Sequence, residues 1–266
     1  MSLIRIKILI FFLLKKVKSE RIVWALVFLG VILIQSVWLY FTPFYRQEFL
    51  KGLPSSVGIG DLAVGTCLML SYFVIIFLGM GLVQLLLREC FSIKRILFFF
   101  SLPLKKQEYF WALFSFSSIF LFAVFLGFYL LGSSVIFIKG YNISHFFERI
   151  LSGTIFVVLL NGLYMCLGLF YKNVLGSILF IFILGSSFFI EDIKAVFMHS
   201  PSLLKFLSGF SFVFLPRFHS LIWTSIYPAE NVVLRNFVFM HSFLLILLLV
   251  VFSRRLFLKS LGRFLH

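Results

Sequence analysis

Six stretches of this chain, 22–41, 62–87, 109–138, 150–171, 173–190 and 236–253, contain no Asp, Glu, Lys or Arg. Each is long enough, at 1.5 Å per helical residue, to approach or exceed the roughly 30 Å of a bilayer's hydrocarbon core. A backbone in lipid must satisfy its own hydrogen bonds, and runs this continuous do not alternate as the strands of a barrel do, so each reads as a helix. With 62% apolar residues, 12% charged and a mean hydropathy of +1.13, a water-soluble globule would have to expose most of its Phe and Leu. The expectation is an all-α integral membrane protein with six transmembrane helices in a single domain spanning residues 1–266.

Only Lys172 interrupts the fourth and fifth runs, which together are far too long for one crossing, so Tyr171-Lys172-Asn173 reads as a tight hairpin. Placing both termini in the cytoplasm assigns 16 of the 24 basic residues to the inside, at Arg5, Lys7, Lys15, Lys16, Lys18, Arg21, Arg88, Lys94, Arg95, Lys105, Lys106, Lys172, Arg254, Arg255, Lys259 and Arg263. The longer outside segments keep Arg46, Lys51, Lys139, Arg149, Lys194, Lys205, Arg217 and Arg235. That asymmetry follows the positive-inside rule. It also accounts for the net charge of +15 through attraction to anionic lipid, with no need of a nucleic acid.

Residues 192–235 form the expected long outer loop. Within it the apolar piece 203–216 carries Lys205, ends at Pro216 and is too short to cross, so it reads as interfacial or re-entrant. Residues 1–21 surround a short apolar core with lysines and lack a small-residue cleavage site after it. They read as a retained basic interfacial helix whose role is anchoring.

Catalytic and metal-binding patterns are missing. Cys67, Cys90 and Cys166 have no CxxC spacing, and the five histidines form no HExxH. His241 is the one histidine within a span and is expected to bond a neighbouring helix, through Asn161 or Gln35. No span holds a central Asp, Glu, Lys or Arg, so the intramembrane carboxylates that relay protons or sodium in ion-coupled carriers are missing. No G-x-x-x-x-G-K-[ST] cradle exists for nucleotide, so energy for uphill movement would have to come from another polypeptide.

The connection 88–108, between the second and third spans, breaks the apolar pattern with "FFFSLPLKKQEYF" on the cytoplasmic side. Ser101 suits an N-cap for a turn at Leu102 and Pro103, and "LKKQE" starts the next helix. A short amphipathic element with Phe98 to Phe100 and Leu102 on one face and Lys105 and Lys106 on the other is a docking surface for a soluble partner, or a basic loop that only fixes topology.

In its layout the chain resembles the permease subunit of ATP-binding-cassette transporters of the type 2 exporter class. The resemblance rests on the basic N-terminal segment, six spans, "FFSLPLKKQEYFWAL" between spans two and three, a long loop before the last span and the basic end "VVFSRRLFLKSLGRF". It implies that the loop between spans two and three is a coupling helix for a cytoplasmic ATPase, made by Ser101, Leu102, Pro103, Leu104, Lys105, Lys106 and Glu108. It further implies a second permease chain, as a homo- or heterodimer, and a place in a bacterial cytoplasmic (inner) membrane. The chain itself would take no cofactor, because ATP is bound by the partner subunit. Gln84, Ser115, Ser117, Asn161 and Gly162 are then positions for a pathway or a helix interface, with packing the default role for each. Two other classes stay open: a membrane-embedded lipid-modifying enzyme, for which Glu191-Asp192 is the nearest thing to a polar cluster, and a non-catalytic membrane anchor that recruits a complex.

Overall fold

The computed structural model describes residues 3–41, 59–91, 105–138, 145–170, 218, 220–222 and 232–263, and every regular element among them is an α-helix. In chain order these are α1 (Leu3–Ser19), α2 (Arg21–Phe41), α3 (Ile59–Cys90), α4 (Lys106–Ile138), α5 (Phe146–Phe170) and α6 (Val232–Arg263). Four contain stretches long and apolar enough to cross a membrane: Val64–Cys90, Lys106–Ser134, Phe146–Leu169 and Arg235–Leu261. This is a multi-pass membrane protein. The apolar stretch Arg21–Ser36 of α2 is shorter. The expected span 173–190, its hairpin 171–173 and the segment 203–216 lie outside the described residues.

Close approaches fix how the helices run. Tyr72 of α3 stacks on Phe125 of α4 at 5.5 Å, and a Cβ on Gly132 of α4 would lie 3.0 Å from Cys67 of α3, so α3 and α4 are antiparallel. The α4–α5 pair is antiparallel too, because Tyr129 meets Phe146 while Asn161 reaches Phe114 and Ser118. In contrast, α5 and α6 are parallel. Glu148 meets Arg235 near their N-terminal ends, and farther along Gly162 and Cys166 both meet Leu249.

The helix α5, packed by α3, α4 and α6, has the most buried of the four apolar stretches. Its apolar stretch is 67% buried, against 22% for the peripheral α6. Packing this dense needs small residues. A Cβ at Gly153 would come within 2.0 Å of the Phe125 ring, and one at Gly79 within 2.8 Å of Tyr164. Large apolar side chains cover the outside, among them Phe28, Phe73, Phe77, Phe243 and Leu248. In water that surface would be an aggregation hazard, whereas in lipid it carries no penalty.

Two expectations meet a more specific structure. The N-terminal helix is docked as well as basic: Leu9, Leu13 and Val17, one turn apart, are buried in the main core, and α1 packs on α4 and α2. The segment before α6 also enters the core. Phe218 is fully buried and meets Phe156 edge-on at 5.2 Å, ten residues or roughly 15 Å along α5 from its start.

Candidate functional site

One end of the bundle collects the basic residues. Its floor is aromatic: Phe257 of α6 lies 5.8 Å from Phe91 just past α3 and 5.8 Å from Phe110 of α4. Phe110 and Phe257 are both buried. Around this floor stand Arg88 of α3, Lys105 and Lys106 at the start of α4, and Arg255 and Lys259 of α6, all exposed. Lys16 of α1 joins them through Glu89 of α3, with Nζ 3.3 Å from that carboxylate and 2.7 Å from that of Glu20.

The start of α4 is built by local chemistry. The Lys105 backbone N–H donates to Glu108 Oε2 at 3.0 Å, and the Glu108 N–H donates to the Lys105 carbonyl at 2.8 Å. This is the Glu half of a capping box, with Lys105 at the N-cap, and the carboxylate also sits at the favourable end of the helix dipole. The reading that "LKKQE" starts the helix thus has its physical cause in Glu108. Lys105, Lys106 and Gln107 project into solvent, while Tyr109 and Phe110 directly after them are buried. Ser101, Leu102, Pro103 and Leu104 lie outside the described residues.

The interior positions separate into distinct roles. Asn161 of α5, fully buried, donates through Nδ2 to the Phe114 carbonyl at 3.1 Å and to the Ser118 hydroxyl at 2.7 Å, both on α4. The expected pairing with His241 is not made, because the Asn161 amide is turned to α4; His241 instead lies parallel to the Phe237 ring at 6.3 Å. Gln35 is exposed on α2. Ser117 is buried and returns its hydroxyl to its own helix, to the Leu113 carbonyl at 2.9 Å. Ser115 is half-buried on α4, and Gln84 is exposed on α3. Gly162 faces Leu249, so its smallness serves the α5–α6 contact.

At the opposite end the structure assembles charges that the sequence leaves scattered. Glu148 Oε2 lies 2.8 Å from an Arg235 guanidinium nitrogen and 2.7 Å from His145 Nδ1. Arg149, assigned by its charge to an outside segment, is inside α5 and only 1% exposed. An acidic residue in the first turn ahead of an apolar run hints at a helix start. Nothing in the sequence indicates that its partner is Arg235.

Among the described residues no group of His, Cys, Asp and Glu could hold a metal ion, and the three cysteines are free and buried. At the basic end a cationic surface thus stands directly on a packed aromatic core. Comparison with protein-family models, with curated proteins and with solved structures gives no match.

Proposed function

We propose that the chain is the membrane-spanning permease subunit of an ATP-binding-cassette transporter of the type 2 exporter class, with the translocation pathway in its helices and ATP hydrolysis in a separate cytoplasmic subunit. The observation that carries this reading is the start of α4. Lys105, Lys106 and Gln107 are exposed on a capped helix end, and Tyr109 and Phe110 beneath them are buried, the Phe110 ring against Phe257 of α6. A partner pressing on that end moves a rigid helix whose far half contacts α3 and α5, so displacement at the surface reaches the centre of the bundle.

Helix direction supports six spans. The helix α5 ends at the basic end and α6 begins at the other, which fits the expected span at 173–190. At 21 residues α2 is about 31 Å long, which matches the hydrocarbon core. Gathering of the basic ends of α1, α3, α4 and α6 on one face fits a cytoplasmic orientation for that face in a bacterial inner membrane. The middles of the four apolar stretches carry no charge, which fits a pathway driven from outside the chain by differential contacts with an ATPase, and not by ion coupling. Export and a paired second permease chain complete the reading.

The test is to purify the tagged chain in mild detergent from its host and identify copurifying proteins by mass spectrometry, beside a variant with Leu102→Asp and Leu104→Asp. A P-loop ATPase that accompanies the first and is missing from the second is the expected result. Preparations free of ATPase from both would overturn the assignment and direct attention to lipid-modifying activity at Glu191 and Asp192.

A further inference from the structure

The helix α1 has two faces of opposite character. Its inner face, Leu9, Leu13 and Val17, is in the core, and Lys16 beside it is held by Glu20 and Glu89. Its outer face carries Phe11, 70% exposed, Leu14, 52% exposed, and the exposed lysines Lys15 and Lys18. These four follow at i, i+3, i+4 and i+7, the spacing of one helical stripe. Both carboxylates nearest this helix are taken by Lys16, and neither Lys15 nor Lys18 has an ion-pair partner among the described residues.

Immediately after the Glu20 corner, α2 exposes Ile22, Trp24 and Phe28, and the Trp24 indole N–H donates back to the Lys18 carbonyl at 3.2 Å. Tryptophan with an apolar body and a bonded polar tip marks the boundary between headgroups and acyl chains. The outer stripe of α1 therefore lies at the level where phosphates meet hydrocarbon.

We propose that this stripe is a binding site for anionic phospholipid headgroups. Phe11 and Leu14 enter the acyl region, while Lys15 and Lys18 snorkel from the same stripe to two lipid phosphates. The partner is a lipid surface because the charge is complementary and the apolar residues continue without interruption into the lipid-facing side of α2. Through Leu9, Leu13 and Val17 the bound lipid is one packing layer from α4, and through Lys16 it is one ion pair from α3. The site depends on the membrane location of the chain and not on its assignment as a permease.

The experiment uses the full chain with Trp24 as its only tryptophan, the other three being changed to Phe, reconstituted in phosphatidylcholine vesicles containing phosphatidylglycerol brominated near the headgroup. Quenching of Trp24 should exceed that from brominated phosphatidylcholine at equal mole fraction by about threefold, within the attraction that two surface lysines provide. The preference should fall toward onefold in K15Q/K18Q and persist in K259Q, which changes an exposed lysine elsewhere on the same end. Equal quenching by both lipids would overturn the proposal, as would an equal loss in K259Q, which would trace the effect to overall charge. A copurifying protein that shields Trp24 from both lipids would overturn it in favour of a protein partner. Should the single-tryptophan chain fail to fold, native mass spectrometry of the unaltered chain and of K15Q/K18Q reads the same preference as retained phosphatidylglycerol. No difference between them would also refute it.

Discussion

The Glu148 carboxylate, in the first turn of α5, lies 2.8 Å from the Arg235 guanidinium, in the first turn of α6, and so pins the N-terminal ends of two parallel helices. The geometry is favourable on both sides. Glu148 sits where a helix dipole welcomes negative charge, and Arg235, at the wrong end of its own helix, finds there the anion it needs. Glu148→Gln should lower stability by about 1 kcal/mol, a modest figure because a third of the Glu148 side chain is exposed. Thermal unfolding in detergent of E148Q, R235Q and the double variant checks this, and the double loss should be smaller than the sum of the single losses.

Two glycines should respond in opposite ways. At Gly153 a methyl group would fall within 2.0 Å of Phe125, which is itself buried and stacked between Tyr72 and Tyr129, so the ring cannot yield without disturbing its neighbours. Gly153→Ala should cost roughly 1–3 kcal/mol, and a second change of Phe125→Leu should restore part of it. At Gly81 nothing lies within 4 Å, so Gly81→Ala should be neutral or stabilise by a few tenths of a kcal/mol through helix propensity. Melting temperatures of the three variants distinguish these outcomes.

Asn161→Leu removes both side-chain hydrogen bonds from α5 to α4 while keeping similar volume. A loss of about 1–2 kcal/mol is expected, within the range measured for interhelical bonds in membranes. Ser118→Ala, which removes only one acceptor, should cost less than half as much. Chemical denaturation in mixed micelles gives the ranking; equal losses would mean that the Ser118 bond carries the whole effect and the bond to the Phe114 carbonyl none.

Cysteine labelling checks the arrangement of the ends. Cys67, Cys90 and Cys166 are buried, so the background reaction with a membrane-impermeant maleimide should be low. Cysteines placed at Lys18, Lys105 and Lys259 should react from one side of the membrane, and a cysteine at His145 from the other. Mixed accessibility within the first group would break the shared basic end.

Length and charge pattern made the membrane class and the helical architecture legible, because a bilayer imposes a fixed thickness and the backbone there has no other hydrogen-bonding solution. The start of α4 was legible in part: Lys105 and Lys106 fall beside Glu108, and a capping interaction spans only three residues. Asn161 was visible as a polar residue in an apolar run, but its partner was not. By sequence its expected partner is His241, whereas the rotation of α5 turns the amide to Phe114 and Ser118 of α4.

Arg149 shows the limit most clearly. By sequence it is one more basic residue outside a span, while in the fold it is almost completely buried in α5. The helix begins four residues before the uncharged run does, and neighbouring elements close over it. The burial of Leu9, Leu13 and Val17 and the insertion of Phe218 have the same origin. A one-dimensional pattern can state which segments avoid water, since that preference belongs to each residue and its near neighbours. Which apolar face meets protein and which meets lipid depends on helix rotation and contacts between distant segments, and a bilayer, being as apolar as the core, leaves no hydropathy signal to separate the two.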